Sequence, residues 1–189
     1  NLIWDAANEG REEIFNSFVE AIISTVEHFD NRDDIKFLVR PHPAEKVLGT
    51  NQKYSDLLAC IDSKISIIEE SLNVNSFSVL DITDVAVTHT STIGLEMAMT
   101  GKPSIILGKT HFKGNGFNID PSSKVDYFSA LERALGHGSP NEDQKISARK
   151  YFYMMMFLYQ KRTSLVYEGN SFLSYYYPSF NNLVKNNDV

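Results

Sequence analysis

The segment Thr83–Gly108, TDVAVTHTSTIGLEMAMTGKPSIILG, does most to limit the folds open to this chain. Two short apolar runs, DVAVT and PSIILG, enclose residues Thr92–Thr100, whose spacing is helical. Gly101 follows at the position where a left-handed cap belongs. Parallel strands cannot be joined by a tight turn and need a crossover, usually a helix. This run therefore predicts a right-handed βαβ unit.

The same alternation recurs upstream. Asn1–Asp5 (NLIWD) reads as a strand, and Glu12–Phe29 as an amphipathic helix through Ile14, Phe15, Phe18, Val19, Ile22, Ile23, Val26 and Phe29. Ile35–Val39 reads as a strand ended by Pro41 and Pro43, which cannot donate to a ladder. Tyr54–Ile61 looks helical, Ile65–Ile68 is a further strand, Ser76–Ile82 a helical turn or two, and Asp126–Leu135 a helix. Strands that are continuous apolar runs belong to sheets covered on both faces. The expected fold is α/β, a parallel sheet with helices on both faces. From Pro140 the character changes: Glu142–Arg162 is a longer helix dense in Met and aromatics, followed by a polar, tyrosine-rich tail. The expected organisation is a domain over residues 1–138 with a helical extension over 139–189.

Composition narrows the function classes. At 189 residues, 42% apolar and 22% charged, the chain can bury a core. A net charge of -6 means that the surface as a whole is no nucleic-acid footprint, so no nucleic-acid partner is expected. The single cysteine, Cys60, excludes an internal disulfide. No apolar run approaches the roughly 18 residues of a membrane span. Opening on Asn1 without Met, the chain reads as a piece of something longer.

In open parallel sheets, ligands bind outside the carboxyl ends of the strands. The loops after Asp5, Val39, Val87 and Leu107 lie there. After Val87 come Thr88, His89, Thr90, Ser91 and Thr92, with Thr90 or Ser91 at the expected N-cap. Free amides and the positive dipole end of a helix make an anion site, and small hydroxyls add donors. Ser and Thr also cap helices in any protein, so the cap alone has a structural reading too. In RPHP (Arg40–Pro43), two prolines brace His42. An imidazole titrating near neutrality can donate a proton, and Arg40 can grip a phosphate with two parallel bonds. The bland alternative is a stiff strand exit with an exposed histidine.

Two windows, Met97–Ile119 and Ile35–Ala44, hold no Asp or Glu but carry Lys102, Lys109, His111 and Lys113 in the first and Lys36, Arg40 and His42 in the second. They suggest one electropositive cleft. Gly108–Phe117 has three glycines, as a mobile loop over a ligand or an ordinary surface loop would. Glu96, one turn into the helix, has two even readings: an acceptor for ribose hydroxyls, or a solvated helix residue. Five histidines without close ligand spacing argue against a metal. No GxGxxG or Walker sequence occurs.

RPHPAE after one strand and TDVAVTHTSTIGLEMAMTGKPSIILG after another together resemble bacterial capsule polysaccharide biosynthesis proteins. More broadly they resemble the C-terminal, Rossmann-like nucleotide-binding half of GT-B glycosyltransferases, including Kdo transferases and certain sialyltransferases. The likeness runs from Asn1 to about Leu135. It implies a nucleotide-sugar donor such as CMP-Kdo, with His42 as the catalytic residue at the donor phosphate. It implies phosphate or nucleotide contacts for Ser91 with Thr90 and Thr92, and ribose contact for Glu96; Arg40, His89 and Lys109 join them as electropositive neighbours. No cofactor or metal is expected. The saccharide acceptor would be bound mainly by an N-terminal domain that this chain lacks. The expected location is cytoplasmic, at the inner membrane face through peripheral association of the full-length protein. Nucleotide-sugar epimerases and CDP-glycerol glycerophosphotransferases share the architecture and stay open as alternatives. So does a non-catalytic module docking through Tyr151–Tyr159.

Overall fold

The computed structural model describes residues 13–41, 56, 58, 65–68, 72, 74–137 and 140–160. The strand expected at Asn1–Asp5, most of the helix expected at Tyr54–Ile61, and the tail beyond Gln160 lie outside the described residues. The chain divides into two compact units, Asn1–Lys150 and Tyr151–Val189.

The first described helix, α1 (Phe18–His28), begins six residues later than its apolar spacing suggests. Ser17 stops it: held extended, its hydroxyl accepts the Glu20 amide at 3.1 Å. The Glu20 carboxylate reaches back to the Asn16 amide at 2.8 Å, a variant of the capping box. Strand β1 (Phe37–Val39) pairs in parallel with β2 (Ile65–Ile67), Leu38 opposite Ser66. Helix α2 (Ser76–Ile82) is capped by the Asn75 side chain and leads to β3 (Ala86–Thr88).

The unit expected from Thr83–Gly108 is present. Helix α3 (Ile93–Thr100) ends at Gly101 with φ 85°, and β4 (Ser104–Ile106) pairs in parallel with β3, Val87 opposite Ile105. On the far side of β4, Ile119 adds a parallel bridge to Ile105. Helix α4 (Lys124–His137) then covers the core. Among the described residues the strands thus form two parallel pairs, β1–β2 and β3–β4. The fold class is α/β with parallel strands, as expected.

The core explains why these elements hold. Phe29, Ile105, Leu107 and Tyr127 are buried together. The Tyr127 ring stands edge-on to Phe15 at 5.3 Å, and its hydroxyl shares a 2.6 Å hydrogen bond with Thr25 of α1. Burial pushes that phenol up to about 12, although the Thr25 bond pulls the other way. A buried tyrosine with its hydroxyl satisfied adds both area and specificity.

Helix α5 (Glu142–Tyr153) opens on a reciprocal cap in which Asn141 and Gln144 exchange two 2.9 Å bonds. In the second unit, Met154–Leu158 forms a π-helical turn where the sequence suggested a continuing α-helix. There Tyr153 stacks on Phe157 at 5.2 Å, and both are exposed.

Candidate functional site at the carboxyl ends of β1 and β3

The chains leaving β3 and β4 stay joined past the ladder. The Leu107 amide donates to the Thr88 carbonyl at 2.9 Å, and the Gly108 amide to the His89 carbonyl at 3.2 Å. The His89 ring lies directly over Gly108: a Cβ there would stand 2.6 Å from its Cε1. Phe18, the first residue of α1, meets the ring edge-on at 4.5 Å. Only glycine permits this approach, so His89 is set in place by packing.

Gly94 has a similar role on the helix. An added Cβ would come within 2.5 Å of Ile106 and 3.0 Å of the Thr88 hydroxyl. The close approach to the helix is made by a strand side chain. The Gly94 carbonyl is held by the Ser104 hydroxyl and the Asn118 amide, both at 2.8 Å.

The helix start differs from the expectation in one respect. The N-cap is Thr92, not Thr90 or Ser91; its backbone is already helical and its side chain caps nothing. The Gly94 amide bonds the Ser91 carbonyl at 3.2 Å, and the Leu95 and Glu96 amides bond the Thr92 carbonyl at 2.9 and 3.0 Å. The Glu96 bond is the ordinary first bond of the helix, but the other two, with the bond from the Ile93 amide to the Ser91 hydroxyl at 3.4 Å, use amides that an open helix start would leave for an anion. Donor capacity here rests more on side chains than on backbone.

A cavity of about 910 Å³ opens between the two strand pairs, and Arg40, His89 and Ser91 all line it. Residues separated by about fifty positions therefore converge at the carboxyl ends of β1 and β3. Thr90, Thr92, Glu96 and Lys109 do not line this cavity. Thr92 and Lys109 are exposed, and the Thr92 hydroxyl donates to the Glu96 carboxylate at 3.4 Å. His42 lies outside the described residues.

Two partners of the site carried little sequence signal. Ser76 accepts from Arg40 Nη1 at 2.8 Å, while Nη2 donates to the Val74 carbonyl at 3.0 Å. This fixes the guanidinium against the start of α2 across more than thirty residues of chain. Thr88 presents a buried hydroxyl that has no hydrogen-bond partner among the described residues. It was visible as one of the clustered hydroxyls, but nothing in the sequence said that it would be enclosed.

The acid-free windows do not translate into one cationic cleft. Lys102 turns to the end of α2, donating to the carbonyls of Leu80, Asp81 and Thr83 at 2.7, 2.7 and 3.0 Å. Lys113 pairs with Glu13, which the fold brings in from a hundred residues away. Burial raises the nearby Asp120 carboxyl, against the pull of the Gly114 amide and Lys113. Charge read along a chain omits acids delivered by other segments. Among the described residues, no group of three or more His, Cys, Asp or Glu is placed to hold a metal ion. No described helix is long and apolar enough to cross a membrane.

This is a parallel α/β domain whose cavity reaches Arg40, His89 and Ser91 beyond the carboxyl ends of its strands, the position such folds use for ligands. Residues 9–134 match the family of capsule polysaccharide biosynthesis proteins, and the chain belongs to that family. No curated protein matches it. Among solved structures it is similar to KpsC of Thermosulfurimonas dismutans, as the β-Kdo 2,4 transferase (22% identity, TM-score 0.43, 68% of this chain and 35% of that one). A second is the β-Kdo 2,7 transferase KpsC of the same organism (20% identity, TM-score 0.48, 78% and 42%). The chain thus spans well under half the length of either structure.

Proposed function

We propose that this chain is the donor-binding part of a glycosyltransferase of capsule polysaccharide synthesis, taking a nucleotide-activated sugar. CMP-Kdo is the first donor to test, because the two sequence motifs resemble those of Kdo transferases. The observation that carries the reading is that Arg40, His89 and Ser91, each just past the carboxyl end of its strand, line one cavity, in a member of a capsule-synthesis family.

In such a transfer the bond between the anomeric carbon and the phosphate oxygen breaks, the acceptor oxygen replaces the phosphate, and CMP leaves. Negative charge grows on the phosphate as the bond breaks. Pre-set donors aimed at that charge lower the barrier more than they strengthen ground-state binding. Arg40, already fixed by Ser76 and Val74, would bind the phosphate without a large ordering cost. The Ser91 hydroxyl would donate beside it, with Thr90 and Thr92 as neighbours and Lys109 as a long-range cation. His42 would hydrogen-bond the departing phosphate, and Glu96 would meet the ribose. The acceptor and the base belong to a partner domain in this reading.

Calorimetry of this chain with CMP and with UDP tests it. Wild type should bind CMP, Arg40→Ala should weaken binding about tenfold or more, and Ser91→Ala less. Negligible binding of both nucleotides by wild type, or unchanged binding by Arg40→Ala and His42→Ala, overturns the proposal. Product analysis of the full-length protein separates sugar transfer from epimerisation and glycerophosphate transfer.

A further inference from the structure

Helix α5 does more than close its own cap. Gln144, Lys145 and Ala148 recur at helical spacing on its inner face, and Ala148 is buried. From this side the helix reaches two other elements. Arg149 Nε donates to the Met99 carbonyl at 3.0 Å, one of the last four carbonyls of α3, which have no partner within the helix. The Lys145 stem lies over Gly101, 3.3 Å from where a Cβ would stand. Two cations thus sit at the carboxyl end of α3, the sign its dipole favours. Gln144 Nε2 reaches elsewhere and donates to the Gly116 carbonyl at 2.8 Å.

Gly116 belongs to the segment that leaves β4 at the candidate site. Residues 108–117 begin beneath the His89 ring, at Gly108, and Phe112 stands 3.6 Å from where a Gly94 Cβ would be. The segment therefore touches both the ring and the first turn of α3. Phe112 and Phe117 anchor it in the interior. Between them Gly114 and Gly116 take φ of 81° and 79°. The Gly114 amide donates to the Asp120 carboxylate at 2.7 Å, and Lys113 pairs with Glu13. The corner at Gly116 is the one that α5 holds.

We infer that Gln144 is a positioning residue. Its bond to Gly116 sets residues 108–117 and, through Gly108 and Phe112, the His89 ring and the start of α3. The consequence for a ligand rests on the donor-binding reading above; the tether itself does not. One planar amide makes both attachments: Oε1 accepts from the Asn141 amide at 2.9 Å, capping α5, while Nε2 holds the segment. The cap already orients the group, so fastening the segment adds little ordering cost.

Because the two bonds use different atoms, substitution separates them. Gln144→Glu keeps an acceptor for Asn141 and loses the donor to Gly116. Gln144→Lys keeps a donor and loses the acceptor. Gln144→Met has neither and adds no charge. Residue-resolved hydrogen exchange should find the Gly114 amide roughly three- to tenfold faster in the Glu and Met variants, and near the wild-type rate in the Lys variant. The Asn141 amide should speed up in the Lys and Met variants only. The Leu107 amide, bonded to the Thr88 carbonyl, should stay constant throughout. CMP should bind several-fold more weakly to the Glu and Met variants than to wild type, and the Lys variant should not weaken. Gly114 exchange that is equal in all four proteins, or that follows the Asn141 cap instead of the donor, overturns the inference. CMP affinity unchanged in Gln144→Met overturns the link to the site, and weakening by Gln144→Glu alone marks its charge and does the same. Wild type that binds neither CMP nor UDP removes the donor reading, and Gly114 exchange then decides the tether by itself.

Discussion

The two strand pairs are alike in length and direction and unlike in everything else. In β3–β4, all three residues of β4 are buried, glycines at 94 and 108 let neighbours close in, and Ile119 adds a further bridge. In β1–β2, both central residues, Leu38 and Ser66, are exposed, and Leu38 keeps 40% of its surface open. The candidate site joins the two: His89 and Ser91 come from the tight side, Arg40 from the loose one. A rigid half can hold hydroxyls and a ring in fixed places. A looser half can bring a long cation to them and is set by its own bonds to Ser76 and Val74.

The sharpest way to break this comparison is to truncate matching positions. Ile105→Ala in β4 should cost about 2–5 kcal/mol, the range for fully buried aliphatics. Leu38→Ala in β1 should cost less than about 1 kcal/mol. Urea melts of both variants decide it, and equal losses would show that the pairs are equally packed. Next in size is Gly108→Ala. Its methyl meets the His89 ring at 2.6 Å, so a loss of about 1–3 kcal/mol is expected, with weaker CMP binding as the ring is displaced. Gly136→Ala is the control. It lies in α4 with nothing within 4 Å of the added carbon, and should stabilise by about 0.5–1 kcal/mol.

The smallest expected effect is on the acid limb of stability. Burial raises the folded Asp120 carboxyl above its ordinary value of 3.8. Its contribution is therefore complete below pH 3.8 and lost as pH rises through the higher folded value. Asp34 behaves oppositely. Its bond to Arg32 holds it at about 2, so its contribution is present above 3.8 and lost as pH falls toward 2. Asp120→Asn should remove only the first slope, and Asp34→Asn only the second. Thermal melts between pH 2 and 6 read both, and an unchanged slope in either variant would remove that carboxyl from the account.

Local spacing made much of the fold legible. The βαβ unit around Gly101 has the expected elements because apolar periodicity and a left-handed cap act within a few residues. The boundaries of α1 and α3 moved because capping bonds decide them: Ser17 with Glu20 in one, the Ser91 and Thr92 carbonyls in the other. The clustered hydroxyls were visible as a cluster. Which of them line the cavity, Ser91 but not Thr90 or Thr92, was not.

From sequence alone, this chain was determined to be a parallel α/β protein whose strand-to-helix junctions carry hydroxyls, a histidine and an arginine. Those features follow from periodicity, turn chemistry and residue type, all of which act locally. Tertiary structure alone decided that Arg40 leans on Ser76, that Glu13 answers Lys113, that Lys102 turns away to cap α2, and that His89 rests on Gly108. Each joins residues about twenty to a hundred positions apart. Such distances are fixed by how burial stacks whole elements, which no local pattern encodes.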